Sequence, residues 1–364
     1  MSQILANAAD VAIGNALQDL SVVTGTDEPD EVARLVSALP DNLVNEWSGY
    51  VATGAMTVSA AFCHAKPRVA WASPLVGRTT PHKPELGDLL LIMDVQGPTG
   101  RKRRALLIQV KKSKSRTLKC TLTVEGDLVQ RYMYSEWPIF NVLGAQPTTT
   151  NPPPQNVNIA LPNTAKNLQS RYAVVRSAGT SSPGWKLELA TAPFLLPTPP
   201  IATSFKSIGN VTIGAQQTLG TGLAELYSGS TGRDCDVGDD WSNLIAYLEN
   251  YVGIHTSSFA LPHVQPAAAA APSGLMSATS FLSSPSRFVG YSGNQHLLLG
   301  SDKRQWMDPR LLRYGAPRGS FYRWPNHNYP TVPGEKIYKP NGGFGVIKVV
   351  LDYPLELESG RTLP

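Results

Sequence analysis

The sequence predicts an α/β fold, a mixed central sheet flanked by helices, and three features predict it. Two short apolar runs bounded by turn residues follow one another closely, PELGDLLLIMDV (84–95) and RRALLIQVKKSK (103–114). Helix-like stretches lie on either side of them, and further strand-like runs and an amphipathic helix follow. Brief apolar blocks flanked by Gly and Pro read as buried strands, whereas apolar residues recurring every three or four positions read as helix.

In chain order, residues 1–40 form an N-terminal helical segment. DNLVNEWSGYVATGAMTVSAAF (41–62) reads as a helix whose core face is Leu43, Val44, Trp47, Val51 and Met56. CHAKPRVAW (63–71) leads into a first strand and carries His64, with His82 in the next loop. The two apolar runs then make a hairpin around a turn-like basic segment from Gly97 to Arg104. A helix bearing Gln130 and Tyr134 on one face comes next, closed against the core by Trp137 and Phe140.

Beyond it, residues 146–162 are a proline-rich connector, and RYAVVRS (171–177) and GWKLELATA (184–192) are two strands that extend the same sheet. A second proline cluster at 193–200 precedes the helix DVGDDWSNLIAYLENYVG (236–253), whose acidic opening serves capping rather than metal binding. HVQPAAAAAPSG (263–274) reads as a flexible tether. The remainder, 275–364, is an aromatic, Gly- and Pro-rich α+β extension packing on the core, with one strand candidate in FGVIKVVLDY (344–353).

The hairpin carries the chemistry. Side chains alternate faces along a strand, so Gln109 and Lys111 point the same way, Val110 points oppositely, and Asp88 at the start of the first strand can reach the Gln109 face. One Asp, one amide oxygen and a main-chain carbonyl suit a hard cation that leaves most of its shell to water and phosphate. Such a cation polarises a scissile phosphate, and a neighbouring ammonium stabilises the charge that grows in the transition state. Asp88 and Gln109 are the expected metal ligands and Lys111 the catalytic cation. The pattern points to metal-dependent cleavage of a phosphodiester.

These residues resemble the PD-(D/E)XK nucleases, in which an Asp on one strand is followed by Glu-x-Lys or Gln-x-Lys on the next. Asp88 with Gln109-Val110-Lys111 looks like the Gln-x-Lys variant. Such nucleases often carry an acidic residue on a preceding helix, a place Glu46 fills, and several have Gln-x-x-x-Tyr on a following helix, matched by Gln130 to Tyr134. The similarity spans roughly residues 41–140. It implies a restriction-endonuclease-like fold with a core at 41–192, while 193–274 reads from its own residues as a helical segment and an Ala/Pro-rich tether. It also implies Mg2+ or Mn2+ as cofactor, with Asp88, Gln109 and Glu46 as ligands, and a role in cleaving DNA in restriction or antiphage defence. The departure is Gln109 in place of Glu, which removes one negative charge from the metal site and weakens ligation.

Arg101, Lys102, Arg103, Arg104, Lys111, Lys112, Lys114, Arg116 and Lys119 place nine cations in a short stretch. A cluster of that kind suits a polyanion and predicts strongly salt-dependent binding, although a solvated face is the simpler explanation of any charge run. Gln130 and Tyr134 join Arg101 to Arg104, Lys112, Lys114 and Arg116 as expected nucleic-acid contacts. For Glu46 the competing explanation is an exposed helix carboxylate, for Gln130 and Tyr134 plain packing, and for His64 and His82 a structural or substrate-contacting role.

The full chain has 364 residues with 32 basic and 27 acidic side chains, a net charge of +5, which permits a nucleic-acid partner without requiring one. Cys63, Cys120 and Cys235 are odd in number and widely spaced, which argues against a disulfide framework or zinc site and for a reducing, cytoplasmic setting. No membrane segment is expected, and a regulatory protein partner or a homo-oligomer fits the long second half. Three classes of function stay open: a nuclease, a nucleic-acid-binding module that kept the fold without cleavage, and an interaction protein.

Overall fold

Alternation along the strands decides which helix covers which face of the sheet. The computed structural model describes residues 2–18, 27–51, 55–63, 67–97, 100–113, 118–143, 152–162, 168–176, 184–188, 202–255 and 343–352. In order these form α1 (Ser2–Gln18), α2 (Glu28–Trp47), β1 (Ala55–Cys63), β2 (Arg68–Ala70), β3 (Leu89–Gly97) and β4 (Gly100–Lys112). β5 (Lys119–Leu122), α3 (Glu125–Glu136), β6 (Asn141–Leu143), β7 (Ser170–Arg176), β8 (Gly184–Glu188) and β9 (Val211–Thr218) follow. The last are α4 (Leu219–Ser228), β10 (Arg233–Asp234), α5 (Asp240–His255) and β11 (Phe344–Asp352).

Nine strands make one mixed sheet in the order β1-β11-β3-β4-β7-β8-β9-β5, with β10 beside β4, while β2 and β6 pair separately. The α/β class is as the sequence indicates. β3 and β4 are antiparallel with Leu89 opposite Ile108 and Gly97 opposite Gly100, and β7 lies parallel to β4 on its other side. β11 lies between β1 and β3, antiparallel to the first and parallel to the second.

Leu89, Leu91, Met93, Leu106, Ile108 and Val110 face one core, closed by α1, α2 and α4. Leu90, Ile92, Ala105, Leu107 and Tyr172 face the other, closed by α3 and α5. α1 is rich in buried alanines, and its Asp10 accepts a hydrogen bond from Gly220 N at 3.0 Å at the start of α4. The Trp47 indole donates to Leu5 O at 2.9 Å and ties α2 to α1. Among the described residues no helix is long and apolar enough to cross a membrane.

Two expectations need correction. The helix expected over 41–62 is the end of α2, which starts at Glu28, runs through Pro40 and stops at Trp47; residues 55–63 are strand β1. Asp27 N donates to Asp30 Oδ2 at 2.9 Å and Pro29 sits in the first turn, so the start signal lies well before residue 41. Pairing with β11, remote in sequence, overrides the helical pattern of 55–63. The basic segment Arg101–Arg104 is not a turn but the first part of β4, directly opposite Asp94 to Gln96 and Met93. The strands expected at 171–177, 184–192 and 344–353 and the helix at 236–253 are present as β7, β8, β11 and α5. The proline cluster 193–200 and the tether 263–274 lie outside the described residues.

Candidate active site

Asp88 is the residue just before β3, and its main chain is held on both sides: its N–H donates to Ile108 O and its carbonyl accepts from Gly345 N, each at 2.9 Å. Extending the β3–β4 register puts it opposite Gln109, on the face covered by α3. There Asp88 Oδ2 accepts hydrogen bonds from Val110 N at 2.8 Å and from Gln109 Nε2. The Gln109 Oε1 accepts in turn from Gln130 Nε2, which also donates to Glu85 O at 3.0 Å. A buried amide therefore has a partner at each end, as burial requires.

Tyr134, one helical turn beyond Gln130, donates its hydroxyl to Leu86 O at 2.9 Å. A side chain on Gly87 would lie 2.9 Å from that hydroxyl and 2.9 Å from Leu107 Cδ1, so the glycine lets α3 approach the segment leading into Asp88. Burial, then the neighbouring Tyr172 and Asp88, hold the Tyr134 phenol protonated well above the usual tyrosine range. It acts here as a donor.

Lys111 lies two residues along β4 on the same face. Its Nζ donates to Asp127 Oδ1 at 2.7 Å, with the two side chains 11% and 31% exposed. Burial alone would lower its pKa, but the charges of Glu28, Asp127 and Asp88 outweigh that and raise it above the ordinary lysine value. Glu28, in the first turn of α2, also accepts a hydrogen bond from Lys112 N at 2.8 Å. The Lys111 ammonium thus pairs with Asp127 and feels the charges of Glu28 and Asp88.

Asp88, Gln109, Lys111, Gln130 and Tyr134 are brought together; Glu46 is not. It sits near the far end of α2, about 27 Å along the helix from Glu28. The helix-borne acid beside Lys111 is Glu28, and α3 adds Asp127. Sequence reasoning missed both. The capping signal around Glu28 was available, and so was the spacing of Asp127 to Gln130 and Tyr134 on one helical face.

A hard divalent cation asks for several oxygen ligands at once. Among the described residues no three His, Cys, Asp or Glu side chains gather closely enough to hold one alone, so a cation beside Asp88 draws on amide and main-chain oxygens too. Half a turn of the Gln109 amide would face its oxygen to Asp88, with the Val110 carbonyl, 3.4 Å from Gln109 Nε2, as a third oxygen. Two oxygens that close repel unless a cation lies between them. That amide orientation fits the ion, but it sets the Gln109 nitrogen against Gln130 Nε2, whose contact must then rearrange. With the amide nitrogen turned to Asp88 the residues satisfy one another.

The nine-cation run does not form one cluster. A strand rises by roughly 3.3 Å per residue, which sets Arg101 about 36 Å from Lys112 along β4. Its first part is also neutralised: Arg101 donates to both oxygens of Asp94 at 2.8 and 2.5 Å, Arg103 pairs with Glu249, and Arg104 pairs with Asp234 at 3.0 Å. Lys102 is exposed. Lys114, Arg116 and His64 lie outside the described residues.

His82 is buried against Trp71 and Phe205, with ring centroids 4.6 and 5.1 Å away, and its Nε2 lies 2.8 Å from Ser73 Oγ. Burial and the charge of Arg78, opposed by Glu125, push its pKa down to about 4. Cys120 and Cys235 are free thiols. No protein-family model matches the chain, and no curated protein or solved structure matches it either.

Proposed function

We propose that the chain is a Mg2+- or Mn2+-dependent nuclease of the Gln-x-Lys, restriction-endonuclease-like type, acting on nucleic acid and most naturally on DNA. The observation that carries the reading is the direct contact of Asp88 with Gln109 and the placement of Lys111 beside them, on one face of one hairpin. The order of elements supports it: α2 brings Glu28, β3 and β4 bring Asp88 and the Gln-x-Lys triplet, and α3 brings Gln130 and Tyr134. A role in restriction or antiphage defence follows from the family resemblance.

In this reading Asp88 and Gln109 hold the cation. When bound, a divalent cation supplies polarisation of the scissile phosphate and a water of lowered pKa. Lys111 remains an ammonium and offsets the negative charge that grows on the phosphoryl oxygens. As the structure stands, Gln130 turns the Gln109 nitrogen to Asp88, so ion binding requires that amide contact to rearrange, while Tyr134 fixes the main chain leading into Asp88. Asp88 and Gln109 are 2% and 1% exposed, so a phosphodiester approaches from the Lys111 side, where Asp127 meets solvent.

The test is a plasmid and a single-stranded oligonucleotide incubated with the protein, with and without Mg2+ or Mn2+. Metal-dependent cleavage by the wild type and its loss in Asp88→Ala are expected. Cleavage unaffected by chelation or by Asp88→Ala rejects the assignment.

One observation favours a second reading, a catalytically silent nucleic-acid-binding or interaction module of the same fold. The hydrogen-bonded chain Asp88–Gln109–Gln130 satisfies itself without a cation. Metal-independent binding without cleavage is the result that selects it.

A further inference from the structure

Helix α3 does more than supply the two residues matched by the family pattern. Three of its side chains lie on one face, and each grips a different part of the hairpin. Asp127 takes the Lys111 ammonium at 2.7 Å, Gln130 takes the Gln109 amide, and Tyr134 takes Leu86 O ahead of Asp88. In this chain the helix pattern is therefore Asp-x-x-Gln-x-x-x-Tyr.

We propose that Asp127 is a positioning residue for the proposed reaction: it holds the Lys111 ammonium beside the Asp88–Gln109 pair, an inference that rests on the nuclease reading. A lysine has four rotatable side-chain bonds and no fixed donor direction. At the end of β4, Lys111 would otherwise be free to swing toward solvent or toward Glu28. The carboxylate of Asp127 selects one direction, and the helix that carries Asp127 is anchored independently of it. Arg131, on the next turn, forms a two-pronged pair with Glu188 of β8 at 2.5 and 3.1 Å. The Trp137 indole donates to Ser170 Oγ at 3.1 Å at the other end of the helix. With those anchors in place, removing Asp127 frees the lysine without freeing the helix. Because Asp127 is 31% exposed, its truncation opens no core cavity.

The arrangement also explains why Glu28 does not substitute. Glu28 is tied to the main chain at Lys112 by a 2.8 Å hydrogen bond, which fixes it at the α2 side of the strand end. Its charge is felt by Lys111, but the direct ion pair is with Asp127.

The experiment compares wild type, Asp127→Ala, Asp127→Glu and Lys111→Arg in two measurements. In steady-state cleavage, Asp127→Ala is expected to lower kcat by about 10- to 100-fold with KM changed less than about threefold, and Asp127→Glu to recover most of the loss. Unchanged kcat in Asp127→Ala, or a loss confined to KM, overturns the proposal. In spectra of protein labelled at the lysine Cε, the Lys111 signal, assigned by its absence in Lys111→Arg, shows two inequivalent Hε protons while the side chain is fixed. Their merging in Asp127→Ala is the expected result, and two distinct Hε shifts that persist there overturn it. The spectra need no turnover, so they also decide if Asp127→Ala loses activity through partial unfolding. A wild type that cleaves nothing rejects the nuclease reading, and the catalytic purpose of the pair goes with it. An active wild type matched by Asp127→Ala rejects the positioning role alone.

Discussion

Two lysines lie on the same face of one sheet, the half-buried Lys111 near the end of β4 and the buried Lys348 in β11, and their surroundings push them in opposite directions. Lys111 stands among Glu28, Asp88 and Asp127, whose charges outweigh its burial and raise its pKa. Lys348, 1% exposed, has Glu249 at 3.4 Å but shares that carboxylate with Arg103. Burial and the Arg103 charge win over Glu249 and Asp94, and its pKa falls. At the Lys348 end the acids Asp94, Asp236 and Glu249 are matched one for one by Arg101, Arg103 and Lys348. At the Lys111 end the ammonium pairs directly with Asp127 and also feels the charges of Glu28 and Asp88. The first network joins β3, β4, β11 and α5, whereas the second gathers around the Gln-x-Lys triplet and holds its lysine charged.

The largest effect that would break this contrast is on turnover. Lys111→Met is expected to reduce cleavage by about a hundredfold or more, as for loss of a group that meets transition-state charge. Lys348→Met should leave the rate per folded molecule unchanged. If both variants lose activity equally, the two ends are not functionally distinct.

Stability comes next. Glu249→Ala leaves Arg103 and Lys348 without their shared carboxylate and is expected to cost about 3–5 kcal/mol in urea unfolding. Lys111→Met removes the ammonium that pairs with Asp127 and should cost about 2–3 kcal/mol, while Lys348→Met, which removes a disfavoured charge, should stay within about 1 kcal/mol of wild type. A Lys348→Met loss as large as that of Lys111→Met would refute the argument from charge balance.

His82 sharpens the comparison as a buried base whose burial outweighs the one carboxylate charge it feels, that of Glu125. Its folded pKa of about 4 lies below its ordinary value near 6.5, so between those limits the unfolded chain binds the proton and the folded one does not. Stability is therefore lost as pH falls from about 6.5 toward 4, and His82→Phe should flatten that part of the curve. An unaltered acid limb in the variant would exclude His82 as its source.

The smallest effect concerns the basic run. With Arg101, Arg103 and Arg104 committed to Asp94, Glu249 and Asp234, the pair Arg101→Ala and Lys102→Ala should change the salt slope of nucleic-acid binding by less than about two, the full value for two phosphate contacts. A drop of the full two would reinstate this end as a phosphate-binding surface.

The hairpin was legible because Leu89 to Met93 and Ala105 to Val110 are short apolar runs with a Gly-Pro turn nearby, and strand parity alone put Gln109 and Lys111 on one face. Gln130 and Tyr134 were legible from helical spacing. Glu46 failed because its role depended on a helix start that lies at Glu28 instead, with α2 passing through Pro40. The basic run failed for a geometric reason: adjacency in sequence becomes distance along an extended strand. No local pattern could place β11 between β1 and β3 or show that Asp94, Glu249 and Lys348 meet, since those contacts join residues far apart in the chain.

The position of β11 bears on the timing of synthesis. The two strands it joins leave the ribosome long before it does, and until it inserts they present open, apolar edges able to pair with other chains. Its Gly345 N–H also caps the carbonyl of Asp88, so a nascent polypeptide lacks part of the scaffold on which the carboxylate stands. If the chain is the nuclease proposed above, its site would be completed only after β11 has been translated, at the expense of slow, nonlocal folding.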